Sequence, residues 1–409
     1  MVAQCGSEGP AAYLQFTMDG LERTTSQRGA DTWTYDWPNG YRIGPWDTAD
    51  DVSVREFTVR LFDKNPEFHG TNMDKEFDIN CAGNPIAYEE AGAEPAKFTC
   101  NTNEATVKFR VVQEYSLPWA RQQALAEKFS PILYYHPDDP YVVMPVEATL
   151  EHSDLMKKTT CPGGHGPKWC KKLVDSTPTA QEIAGFGGDH FLKRQVPNTC
   201  SGVLCTVGQR YAAYYQDQIR HDATNPPTVY ARVVSDATAT GDARIVVQYW
   251  FHLWFNDWNN KHENDWEGIM VIVRPDETVD RVMYWQHYGG DTRNPTTEDV
   301  RWEKHVHPDG THSHLVTYVA KDSHASYFTT SLGETLPDVT RGDGTRLGLG
   351  EYALPIIDGT EPWLQFNGRW GARPCAAVLC NWGGHGPSEK GDKWNAPVRY
   401  AEREPGPTG

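Results

Sequence analysis

The chain has 409 residues, enough for a large core and for two domains. Its formal charge of −17 excludes the concentrated basic face that nucleic-acid binding needs, and it disfavours simple adsorption to an anionic membrane. With 38% apolar and 12% aromatic residues, 36 glycines and 28 prolines, the composition suits a loop-rich β protein, and no run of about 18 apolar residues reads as a spanning helix.

The opening run Met1-Val2-Ala3-Gln4-Cys5 lacks the basic and apolar segments of a signal peptide. Residues 1 to 115 alternate in strand fashion at Val52–Leu61 and Ala105–Val112, with turn-rich segments between, which predicts an N-terminal antiparallel β-sandwich. Within it Trp33, Tyr35, Trp37, Tyr41 and Trp46 are interleaved with Asp, Asn, Gly and Pro. Core or loop-anchoring duty explains them, and stacking on sugar faces is the alternative. Residues 116–130 hold good helix formers behind Pro118 and stop at Pro131, predicting one helix that bridges the two domains. Residues 131–409 return to strands divided by long loops, so an all-β architecture is expected, with a larger loop-rich sandwich carrying the site.

Eight of the nine cysteines fall into local pairs: Cys81 with Cys100, Cys161 with Cys170, Cys200 with Cys205, and Cys375 with Cys380. Cys5 is left over. Spacings of this kind predict short disulfide staples and a secreted, extracellular protein, since no pair has the spacing of a zinc site. Gly163–Pro167 recurs as Gly383–Pro387, each copy beside a cysteine pair, and reads as two tight turns.

Arg244–Phe255 is apolar enough to be a strand buried on both faces. The next segment carries the chemistry. His262, Glu263, Asp265 and Glu267 crowd into six positions directly before the apolar run Ile269–Val273. Polar groups so dense at the mouth of a buried strand are costly unless a cation, a proton or a ligand compensates them. The strand-like run Arg281–His287 follows, and a simple hairpin through 274–280 would set Glu267 opposite His287. Asp265, Glu267 and His287 would then share one face, an arrangement that a one-residue slip would undo. Further on, Ser323 and His324 sit at a strand end, without the glycine elbow of a serine nucleophile.

Two resemblances follow from these residues. The runs Phe255–Gly268, Gln286–Gly290 and Val319–Ala325 resemble the vacuolar protein sorting-associated (Vps sixty-two type) family, as do Leu125–Asp138, Gly368–Gly371 and Gly386-Pro387. That likeness covers about residues 125–400 and lends no settled activity, and Asn264 stands where glycine is expected. The motif His262-x-x-Asp265-Trp266-Glu267 resembles the necrosis- and ethylene-inducing peptide-like cytolysins, secreted β-sandwich proteins that hold a divalent cation and bind sphingolipid sugar head groups. The resemblance implies a metal site at His262, Asp265 and Glu267, with Asp257 upstream.

Two function classes are therefore expected. One is a secreted hydrolase of a glycan or glycoconjugate. Calcium or magnesium, preferred over zinc, would sit on Asp257, His262, Asp265 and Glu267, with His262, Glu267, His287 and His324 moving protons. A metal-free form would use the carboxylates as the acid and base of glycoside cleavage. The other class is a cytolysin- or lectin-like protein that binds a glycan or surface glycolipid without turnover. In a purely structural role the carboxylates would pair with nearby Arg or Lys.

Overall fold

The computed structural model describes residues 117–160, 170–197, 206–239, 241–287, 289–307, 310–331, 338–374 and 381–403, and the backbone of six strands nearer the N-terminus. The chain divides into two units, Met1–Tyr115 and Ser116–Gly409.

In the first unit β1 (Ala11–Met18), β2 (Leu21–Thr24), β3 (Phe57–Lys64) and β4 (Lys75–Phe77) form an antiparallel sheet in the order β2-β1-β3-β4. A separate antiparallel pair joins β5 (Lys97–Asn101) to β6 (Thr106–Arg110). The aromatic cluster Trp33–Trp46 lies outside the described residues.

The second unit opens with α1 (Trp119–Lys128), which buries Leu125 and Ala126. Its Ala126 carbonyl accepts the Tyr249 hydroxyl at 2.8 Å, so the helix expected as a bridge is part of this unit's own core. There follow β7 (Ile132–Tyr135), α2 (Val146–Glu151), β8 (Ser153–Thr159), β9 (Cys170–Ser176), α3 (Ala180–Ile183), β10 (Gly187–Arg194) and α4 (Val207–Gln218). Next come β11 (Val229–Ala237), β12 (Ala243–Asn256), β13 (His262–Val273), β14 (Val279–Gln286), β15 (Gly289–Arg293), β16 (Trp302–His307) and β17 (Gly310–Val319). The short β18 (Ser326–Tyr327), β19 (Arg346–Leu347) and β20 (Asn367–Arg369) precede α5 (Asp392–Asn395) and α6 (Pro397–Arg403).

Strands dominate, as expected, but more than one helix is present. The twelve-residue α4 falls where only strands and loops were expected. It is nucleated by a capping box in which Thr206 and Gln209 satisfy each other's backbone N–H groups, and it buries Tyr211 and Tyr215 one turn apart.

Three sheets build the unit: β11-β12-β13-β14-β15, β16-β17-β7-β19 with β18 beside β17, and β20-β10-β8-β9. The five-stranded sheet is the middle layer. On β12 and β13 the odd-numbered residues Val247, Tyr249, Phe251, Ile269 and Val271, with Tyr284 of β14, face one core with Leu125, Leu133 and Leu315. The even-numbered Val246, Trp250 and Met270, with Met283 and Trp285 of β14, face a second core with Trp363, Trp394 and Val398. Burial on both faces is why Arg244–Phe255 reads as unbroken apolar sequence. Each such side chain contributes roughly 1.5–3 kcal/mol, so this sheet anchors whatever its strand ends carry. Gly268 completes the packing, because a Cβ there would lie 2.1 Å from the Tyr249 carbonyl oxygen. Cys170 is disulfide-bonded, and the other eight cysteine side chains lie outside the described residues.

Candidate functional site

β13 enters the middle sheet through Asn264, whose φ of 55° is left-handed. Asparagine tolerates that region better than most residues and here replaces the glycine that the motif resemblance expects. Its side chain is fixed on the even-numbered side. The Asn264 Oδ1 accepts from Arg194, from the Thr149 hydroxyl at 3.2 Å and from His252 Nε2 at 3.2 Å, while its Nδ2 donates to the Trp370 carbonyl. The turn also carries Glu263 away from its neighbours. Its carboxylate is 2% exposed and accepts from the Tyr211 hydroxyl and the backbone N–H groups of Arg194 and Ala372. Glu263 is thus a structural carboxylate, although the sequence places it inside the motif.

Beyond the turn, Asp265 and Glu267 lie on the odd-numbered face. Asp265 Oδ2 accepts from Asn256 Nδ2 at 3.0 Å and from His324 Nδ1 at 3.3 Å. Burial alone would raise the Asp265 carboxyl, but the His324 bond, the charges of His262 and His324 and the Asn256 bond bring it down to about 2. Glu267 lacks such partners. Its Oε2 is buried with no hydrogen-bond partner. Burial, and then the Asp265 charge, push it up to about 8, against the weaker pull of Lys393, Lys390 and His287. One carboxyl is therefore ionised at neutral pH and its neighbour is protonated.

His324 is fully buried between two carboxylates, with Asp139 Oδ2 3.6 Å from its Nε2. Burial disfavours its charge, yet Asp139 and Asp265 hold its pKa up to about 10. It is a fixed imidazolium, which makes it a charge holder and a poor proton shuttle. The Ser–His nucleophile reading finds no support in this geometry.

His287 reaches the site by a different route from the expected one. A bulge between Ile272 and Val273 sets Ile269 opposite Tyr284, a pairing one residue away from the simple hairpin. Strand alternation would then turn His287 away from Glu267. Its left-handed φ of 48° removes it from the strand and turns it back. His287 Nε2 donates to Asp338 Oδ2 at 2.7 Å, and Tyr327 donates to the same oxygen at 2.6 Å. The bond to Asp338 raises the His287 pKa against its partial burial, with Glu267 and Asp265 adding to the effect. The ring stacks on Trp258 at 4.6 Å and keeps 25% of its side chain exposed, forming the rim.

His262 Nδ1 donates to the Asn264 carbonyl at 2.8 Å, so Nε2 is the ring atom outside that bond. Asp257 points elsewhere: it pairs with Lys261 and packs on Gly208 of α4, where a Cβ would lie 1.8 Å from its Oδ2. It does not join the other expected ligands. Among the described residues no three His, Cys, Asp or Glu side chains stand together in an ion-holding arrangement. The donor chemistry of His262, Asp265 and Glu267 does fit a hard cation, the orphaned Glu267 oxygen above all, but the proton on Glu267 must leave first. Sequence reasoning missed Asp139, Asn256, Trp258, Tyr327 and Asp338. Only their convergence identifies them, although Asp139 sits in the turn signal Pro137-Asp138-Asp139-Pro140.

Four of the six non-glycine residues with left-handed φ among the described residues, Asn264, His287, Asp322 and His324, fall in or beside this cluster. Concentrated backbone strain of this kind marks sites whose geometry is held by their surroundings.

No family model matches the chain, and no curated protein does. Among solved structures, a toxin fold for microbial attack and plant defence is 15% identical, over 60% of this chain and 78% of its own, with a TM-score of 0.25. Necrosis and ethylene inducing protein 2, from the causal agent of cocoa's witches' broom disease, is 14% identical over 62% and 79%, with a TM-score of 0.27. The protein NLPPya in complex with glucosamine is 15% identical over 61% and 79%, with a TM-score of 0.25. The vacuolar sorting-type resemblance therefore has no family model behind it, while the cytolysin-type resemblance has distant structural counterparts, at identities and superpositions too low to assign any residue a role.

Proposed function

We propose that this chain is a non-enzymatic glycan- or glycoconjugate-binding protein of the extracellular space, with Glu267 at the floor of its site and His287 and Trp258 at the rim. The observation that carries this reading is the buried Glu267 Oε2 without a partner. Among the described residues it is one of two buried carboxylate oxygens without a partner, the other being Asp338 Oδ1, and a ligand hydroxyl would satisfy it. A neutral carboxyl both donates and accepts, which suits a polyhydroxylated ligand. A divalent cation, calcium or magnesium, would have to draw Asp265, Glu267 and His262 together and would then supply a bridge to sugar hydroxyls. Retention of neutral and acidic oligosaccharides, glucosamine among the probes, on wild type and Glu267→Ala tests the reading. Binding that survives the substitution sinks it.

One observation favours the hydrolytic alternative. Asp265 is held low and Glu267 high, the division of labour of a glycosidase base and acid. Release of reducing ends from a bound oligosaccharide, lost in both Glu267→Gln and Asp265→Asn, would establish turnover. Retention without release rejects it.

A further inference from the structure

A second feature lies away from this site, on the sheet β20-β10-β8-β9. Among the described residues β9 pairs only with β8, and no described strand lies along its outer backbone edge. Leu173 is 51% and Val174 39% exposed, two of the three exposed large apolar residues of the chain's described part. Lys172 stands directly across from Lys157, and Lys171 from Lys158. Like charges in directly opposed positions destabilise a strand pair. Among the described residues no carboxylate pairs with Lys157, Lys171 or Lys172. In a chain of charge −17 this is a local concentration of positive charge, in which Lys158 and Lys171 lie over the Trp382 ring and Lys171 also over Phe191.

Lysines on an edge strand guard against aggregation, which accounts for the lysines taken alone. It does not account for Leu173 and Val174, the residues a guarded edge would replace. Nor does a bilayer fit, because hydrocarbon cannot satisfy the N–H and C=O groups of an open edge. An added peptide strand satisfies them, and its side chains meet both faces of β9 at once.

We infer that the outer edge of β9 is a docking strand for an extended acidic peptide segment of a partner protein, one in which two apolar residues adjoin two acidic ones. The acidic pair lies against Lys172 and Lys171, one on each face of the sheet, and the apolar pair against Val174 and Leu173. This inference is independent of the glycan reading and fails or stands separately from it.

The test uses the full chain and a fluorescein-labelled peptide with Val-Val-Glu-Glu at its centre, followed by fluorescence anisotropy. The expected result is saturable binding that weakens with salt and is lost when a proline interrupts the peptide's centre, since proline cannot pair in a ladder. Replacing Lys171 and Lys172 together by Glu weakens it about tenfold, through two surface charge pairs reversed in sign. These residues are exposed, so the double variant folds as the parent does, which circular dichroism confirms. Equal binding of the proline-containing peptide, or of the wild type and double variant, overturns the inference. So does preferential binding to vesicles of phosphatidylcholine with phosphatidylserine, or concentration-dependent self-association by sedimentation that the peptide does not displace.

Discussion

Replacing Glu267 by Gln isolates the proton that the fold holds at its site. In the unfolded chain this carboxyl titrates near 4.5 and in the folded one at about 8. A carboxyl whose folded pKa is raised favours the fold fully below 4.5 and progressively loses that favour as pH rises through 8. The gap corresponds to about 5 kcal/mol once both values are passed, and to about 3 kcal/mol at pH 7, as upper figures. Glutamine keeps the neutral shape and cannot ionise. Urea unfolding of wild type and Glu267→Gln, run at pH 5, 7 and 8.5, should show a gap of no more than about 1 kcal/mol at pH 5. At pH 7 the variant should be more stable by up to about 3 kcal/mol, or roughly 6 °C in melting temperature for a unit of this size. Asp265 does not confuse the comparison, because its stabilising contribution is lost only as pH falls from 3.8 towards 2. Parallel stability curves for the two proteins from pH 5 to 8.5 would refute the claim that Glu267 is held neutral. The same variant separates two modes of binding. Glycan retention through a neutral carboxyl survives in Gln, whereas retention through a cation is lost.

Other perturbations follow from the same geometry. His324→Gln leaves Asp139 and Asp265 without their shared charge and should cost about 3–5 kcal/mol below pH 6.5, with the deficit shrinking as pH rises towards 10; a pH-independent loss would contradict the imidazolium assignment. Asp338→Asn should lower the His287 titration towards 6.5 in a proton NMR series, and an unmoved curve would show that the 2.7 Å bond does not govern it. Calcium or magnesium titrated by calorimetry should bind more tightly above pH 8 than at pH 6 and release a proton. Asp265→Ala should abolish that binding and Asp257→Ala should leave it, so equal losses in the two variants would return Asp257 to the ligand set.

Much of the fold was legible because its cause is local. The double-faced burial of β12 is written as an apolar run. The site was legible only in part. Asp265 and Glu267 are two apart on one strand, so alternation places them together without any knowledge of the rest. His287 was named for a wrong reason, since neither the bulge before Val273 nor its left-handed backbone leaves a periodic signature. Asp257 pairs with Lys261 because the turn at Trp258–Asn260 aims it there, and turns carry no periodicity that fixes direction. Asp139 and Asp338 were missed because each is defined by distance in space from His324 or His287. Helix α4 was overlooked although its capping box is readable at Thr206 and Gln209.

The residues around Glu267 come from segments that begin at Asp139 and end at Asp338, roughly half the chain apart, and the strands that carry them pair across those intervals. Closing such loops must precede any contact within the cluster, and that closure carries an entropic cost that grows with the intervals spanned. A ligand that recognises the cluster consequently reports on finished molecules and stabilises them by mass action, in proportion to its concentration over its dissociation constant. Transplanting His262–Glu267 into another strand would carry His262 and three carboxylates, but neither His324 and Asn256, which hold Asp265 low, nor the enclosure that holds the Glu267 proton.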